Sequence, residues 1–116
     1  MADDRITARR FLDADGVEDW RVLGSQACAH FDTGSFAAGV ALVVAIGDLA
    51  DAADHHPDVD LRYSTVTVRL SSHDIGGLSE RDVSLARRIS AAARDRGIPA
   101  DPTVFGTSED VDGAGR

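Results

Sequence analysis

Apolar and polar positions along the chain follow two periods, and each change of period marks an element. Over 7–13 the apolar contribution is Phe11 and Leu12 behind Thr7, a residue suited to an N-cap, which predicts a short helix stopped by Ala14-Asp15-Gly16. Trp20 and Val22 then alternate with charged Asp19 and Arg21, and Ala27, Ala29 and Phe31 alternate with Cys28 and His30. With the turn chemistry of Leu23-Gly24-Ser25-Gln26 between them, these read as two strands of a hairpin.

A central helix is predicted to begin between 33 and 35 and to run to 53. Phe36, Val40, Val43, Val44 and Gly47 trace one stripe, while Leu42, Ile46 and Leu49 add apolar surface beyond it. A helix apolar nearly all round must be covered on more than one side. In 116 residues little protein is left to do so. The expectation is therefore a helix that packs on its own sheet and also contributes to a subunit interface.

After Asp54-His55-His56-Pro57-Asp58 comes a second alternating pair: Val59, Leu61 and Tyr63 on one face, then Val66, Val68 and Leu70 opposite Thr65, Thr67 and Arg69. Gly76-Gly77 breaks the pattern. Ser79 and Asp82 form the S-x-x-D start of a last helix with Val83, Leu85, Ala86, Ile89, Ala92 and Ala93 on its apolar side, ended by Gly97 and Pro99. The order is α-β-β-α-β-β-α, an α+β two-layer domain with a four-stranded antiparallel sheet and helices packed on one face. Residues 1–98 make up the domain, and 99–116 are expected to form a loosely ordered tail with little beyond Val104, Phe105 and Val111 to bury.

Composition narrows the function classes. The apolar run 36–46 is about half the length needed to cross a bilayer, so no membrane span is expected. Met1-Ala2-Asp3-Asp4 is acidic and leads into no apolar signal core, which makes a cytoplasmic location the expectation. Net charge is −8, with arginines intermixed among carboxylates, so no nucleic-acid partner is expected. Cys28 is the sole cysteine, excluding an intramolecular disulfide and any multi-cysteine zinc site. A buried structural thiol is its plainer reading. A Cys28–His30 pair on one strand face is the lesser alternative.

The candidate chemistry is histidine chemistry. His55, His56 and His73 lie in or beside the loops flanking the second strand pair. Imidazole gives and takes protons near neutral pH, so several converging on one pocket suit an elimination in which one protonates a departing hydroxyl while another removes a proton. Asp54, Pro57, Asp74 and Asp82 are the candidate substrate-binding residues around them. Two alternatives stay open on residue types alone. His-His-Pro-Asp after a helix can be a polar turn, and Asp82 is fully explained as a capping carboxylate near a helix N-terminus. A metal site is disfavoured because adjacent histidines on regular structure point apart and no i, i+4 pair is present.

Together these residues resemble the signature of the pterin-4a-carbinolamine dehydratases: an acidic residue, His-His-Pro, an aromatic, a histidine and an aspartate, met here by Asp51, His55-His56-Pro57, Tyr63, His73 and Asp82. Trp20 and the F-D-T-G-S-F segment resemble the family's first hairpin and helix entry. The resemblance implies an α+β fold, with strands of two subunits often joined, hence a homodimer or homotetramer. It also implies dehydration of a 4a-hydroxytetrahydropterin to the quinonoid dihydropterin, the recycling step after an aromatic amino acid hydroxylase, with no metal or organic cofactor. His55 and His73 match the proposed acid–base positions, His56 one placed against the substrate, and Asp82 the acidic position. Family members also serve as a transcription-factor dimerisation cofactor and as assembly factors of carbon-fixing enzymes, so the resemblance leaves a non-catalytic oligomeric interaction protein as the alternative.

Overall fold

The computed structural model describes residues 4–106. Its elements run α1 (Ala8–Asp13), β1 (Arg21–Leu23), β2 (Gln26–Asp32), α2 (Phe36–Ala53), β3 (Asp58–Arg62), β4 (Thr65–Leu70), a 3₁₀ turn (His73–Ile75), α3 (Glu80–Asp95) and a second 3₁₀ turn (Pro102–Phe105). This is the α+β order expected from periodicity. Each helix start follows from a hydroxyl cap: Thr7 accepts from the Arg10 N–H at 3.0 Å, and Ser35 from the Ala38 N–H at 3.1 Å. Ser79 and Asp82 form a reciprocal capping box at the start of α3.

The sheet is antiparallel in the order β1-β2-β4-β3. Ala27, Ala29, Phe31, Val66, Val68 and Leu70 point into one core with Phe11, Trp20, Leu42, Ile46, Leu85 and Ile89. Trp20 satisfies its indole N–H by donating to the Ser90 hydroxyl at 2.9 Å, also in the interior. Val59 and Leu61 are half-buried against the core, whereas Tyr63 lies beyond the end of β3 and is 78% exposed.

The central helix turns inward a ridge that lies beside the 36–40–44 stripe. Gly39, Leu42, Ile46 and Ala50 are buried; Phe36, Val40 and Val44 are 48%, 40% and 60% exposed. Both ridges are apolar, so hydropathy does not choose between them. On the inward ridge Gly39 lies close against β3, where a Cβ would meet Leu61 Cδ1 at 2.8 Å. By length and composition α2 also meets the requirement for a bilayer span, the one such helix among the described residues. Its inner ridge is part of the protein core.

Residues 99–106, assigned by sequence to the tail, lie along β2. β1 is short and leaves the far part of β2 open on that side. There the Asp32 N–H donates to the Pro99 carbonyl at 2.9 Å and the Asp101 N–H to the His30 carbonyl at 2.8 Å, with Ala100 bridged to Phe31. Phe105 then meets the His30 ring edge-on, with centroids 6.4 Å apart. The rest of the expected tail, 107–116, lies outside the described residues.

Candidate functional site

The β3–β4 register, Asp58 opposite Arg69, sets the segment entering β3 and the segment leaving β4 at the same end of the sheet. The two histidine-bearing loops are therefore neighbours by topology.

His55-His56-Pro57 leaves α2 through Asp54, whose φ of 50° and ψ of 44° are left-handed, a region that aspartate tolerates. The Asp54 N–H is donated to the Ala50 and Asp51 carbonyls, and the His55 N–H to Ala50 at 3.1 Å. Asp54 thus contributes through its backbone, as the reversal that aims the next two side chains. They go opposite ways. His55 turns inward, 8% exposed, with Nε2 2.6 Å from Asp82 Oδ1. His56 turns out to solvent, with Nε2 2.9 Å from Asp51 Oδ1. Pro57 is half-buried at the entry to β3.

Asp82 is fully buried. Its Oδ2 accepts from the Ser79 N–H at 3.0 Å and from the Ser72 hydroxyl at 2.8 Å, and the Ser72 and Ser79 hydroxyls are 2.7 Å apart. Oδ1 faces His55. An ionised carboxylate only accepts, so this assignment puts the His55 proton on Nε2 and leaves Nδ1 unprotonated in the neutral ring. The capping and functional readings of Asp82 are therefore compatible: one oxygen closes the helix and the other holds the imidazole.

His73 is exposed and opens the 3₁₀ turn directly after Ser72. Asp82 thus ties His55 directly, and the His73 segment through Ser72. Asp74, the next residue, receives Arg81 Nη2 at 2.9 Å. That hydrogen bond, chiefly, holds the Asp74 carboxyl below the usual carboxylate range, and the charge of Arg81 adds to the same effect. Ser72 and Arg81 were not among the residues singled out from sequence; a serine before a strand break and one arginine among many give no signal there.

Between the end of α2 and α3 lies a hollow of about 310 Å³ bordered by Ala53, His55, Arg81, Ser84, Leu85 and Arg88. His56 and His73 do not line it. A larger hollow, about 460 Å³, continues along the same crevice past Arg88 to Leu49 and Arg96, and holds no histidine. Among the described residues no three histidine, cysteine, aspartate or glutamate side chains are grouped to hold a metal. Cys28 is buried and its thiol is pushed up by burial, with Arg69 opposing. Its neighbour His30 is bonded through Nδ1 to Thr67 Oγ1 at 2.8 Å. That environment suits a structural thiol.

Comparison with known proteins adds an independent line. The family model described as pterin 4 alpha carbinolamine dehydratase matches residues 2–92. A relative from Nocardia farcinica, assigned to the pterin-4-alpha-carbinolamine dehydratases, is 45% identical over 78 residues, covering 67% of this chain and 82% of its own length. One from Chloroflexus aurantiacus with the same assignment is 42% identical over 71 residues, covering 61% and 76%. Among solved structures, a transcriptional coactivator/pterin dehydratase from Brucella melitensis superposes with a TM-score of 0.70 at 28% identity, over 77% of this chain and 98% of that one. A pterin dehydratase-like RuBisCO assembly factor of the alpha-carboxysome superposes at 0.54 with 21% identity, over 64% and 86%, a likeness of fold alone.

Proposed function

This chain belongs to the pterin 4 alpha carbinolamine dehydratase family, and from that premise we propose that it removes water from a 4a-hydroxytetrahydropterin by histidine acid–base catalysis. In this reading one imidazole protonates the departing 4a-hydroxyl, the adjacent ring nitrogen pushes water out, and loss of the N5 proton to a second imidazole leaves the neutral quinonoid dihydropterin. His55, His56 and His73 are the acid–base candidates. Asp82 is a positioning residue that fixes the His55 ring and presents Nδ1 for proton transfer. Asp54, Pro57 and Asp74 shape the rim that meets the polar edge of the substrate.

The observation that carries the reading is the shared carboxylate: Asp82 reaches His55 with one oxygen and Ser72, the residue before His73, with the other. A polar turn does not require a histidine held in one tautomer by a buried carboxylate. The test is single substitution, His55→Ala and His73→Ala, assayed on 4a-hydroxytetrahydropterin breakdown. Each is expected to lower kcat by about 10²–10⁴-fold. Unchanged rates in both would reject the mechanism.

A second reading, an oligomeric interaction protein keeping the fold, is favoured by the exposed apolar ridge of α2 and by the coactivator role in the name of the Brucella melitensis structure. A wild-type protein that assembles but leaves the carbinolamine breakdown rate unchanged would select it.

A further inference from the structure

The smaller hollow between the end of α2 and α3 has walls of one sign. Arg81, Ser84 and Arg88 stand at i, i+3 and i+7 along α3, one stripe that faces Ala53 and His55, and among the described residues no carboxylate borders the hollow. The chain as a whole has a net charge of −8, so this excess of positive charge is local. A walled depression also concentrates the field of the charges that line it. The two arginines differ. Arg81 is paired with Asp74 at 2.9 Å. Arg88 makes no hydrogen bond or ion pair among the described residues. It borders the larger hollow too, where Asp48 and Asp95 stand, and it is bonded to neither. The smaller hollow therefore offers a planar fork of guanidinium donors to an anion from outside the chain.

His55, on the wall of the same hollow, limits what can reach Arg88. Its ring is held by Asp82, six residues before Arg88, so about 9 Å of helix axis separates the two anchor points on α3. In a 4a-hydroxytetrahydropterin C6 is bonded to N5 and N5 to C4a. The substituent on C6 thus leaves the ring two bonds from the carbon that loses its hydroxyl. A ring placed for proton transfer at His55 can send that substituent along α3. Given the dehydration proposed above, we infer that this hollow receives the C6 side chain of the substrate, and that Arg88 selects side chains ending in a carboxylate or a phosphate. Arg88 determines specificity and takes no part in the proton transfers. Past Arg88 the crevice carries Asp48 and Asp95 beside Arg96, so the unopposed positive charge ends there. The anionic group sits at Arg88, and the side chain that carries it is short.

The test is equilibrium binding of three stable pterins to the full chain, followed by fluorescence titration: 6-hydroxymethylpterin, its phosphate ester and pteroic acid. The wild type should bind each anionic pterin about tenfold more tightly than the neutral one, as a charge-assisted hydrogen bond provides. That ratio should shrink as salt is raised. Arg88→Gln should erase the ratio with its melting temperature unmoved, since the residue is exposed, and Arg88→Lys should keep part of it. Arg96→Gln, on the mixed-charge side and bonded to the Ala92 carbonyl, should keep all of it. Whichever anion binds more tightly identifies the terminus as phosphate or carboxylate. A wild type that binds none of the three would overturn the pterin reading and this inference together. Equal affinity for all three, or an anion preference that survives Arg88→Gln, would overturn the inference alone.

Discussion

His55 and His56 are neighbours in the chain with opposite surroundings. Each has its Nε2 on an aspartate oxygen, at 2.6 Å and 2.9 Å. Yet the first pair is 9% and 0% exposed at its side chains and the second 57% and 81%. What differs is the scaffold behind the carboxylate. Asp82 is fixed by Ser72, by the Ser79 N–H and by its place in a helix cap. Asp51 projects from the last turn of α2 into solvent. A bond in a dry, fully satisfied site orients a ring; the same bond in water competes with water for every proton it shares. The dipeptide thus supplies one imidazole with a set direction and one free to follow whatever approaches.

The contrast can be broken most forcefully at Asp82. Asp82→Ala removes the partner of a buried imidazole and a capping box together, and should cost about 3–5 kcal/mol in urea unfolding. Asp51→Ala, the equivalent deletion at the exposed pair, should cost less than about 1 kcal/mol. Equal losses would show that burial is not what separates the two. A finer probe is the ring proton itself: imidazole-detected NMR should show a slowly exchanging His55 Nε2 proton and none for His56, and Ser72→Ala should quicken that exchange by loosening Asp82. The smallest effect belongs to the rim. Arg81→Gln should return the Asp74 titration upward toward the ordinary carboxylate range. Because that carboxyl is lowered in the folded protein, any stabilisation it contributes is present above the ordinary range and lost as pH falls through its own lower midpoint. An unmoved Asp74 titration in Arg81→Gln would assign the shift elsewhere.

Much of this architecture was legible in the residues. Alternation in β2 and β4, hydroxyl caps before the helices, and Gly97 after α3 give the element order because each reports a local constraint. The orientation of α2 was not legible, since both of its ridges are apolar and the inward one is set by packing between distant parts of the chain, Gly39 against Leu61 among it. Sequence also offered Asp82 as a cap or as part of a site. Only the three-dimensional arrangement shows a carboxylate with one oxygen on the helix cap and the other on His55. The segment 99–106 looked too polar to dock, but it is held through its backbone, which hydropathy does not register.

That backbone attachment bears on how the protein can be handled. A version stopped at Gly97 would keep every histidine and every α-helix, yet bare the outer margin of β2, leaving the Asp32 N–H and the His30 carbonyl without these partners on an edge that invites pairing with stray chains. Such a trimmed protein should precipitate where the longer one stays clear, and a measurement made on it would report clumping as though it were a property of the fold itself.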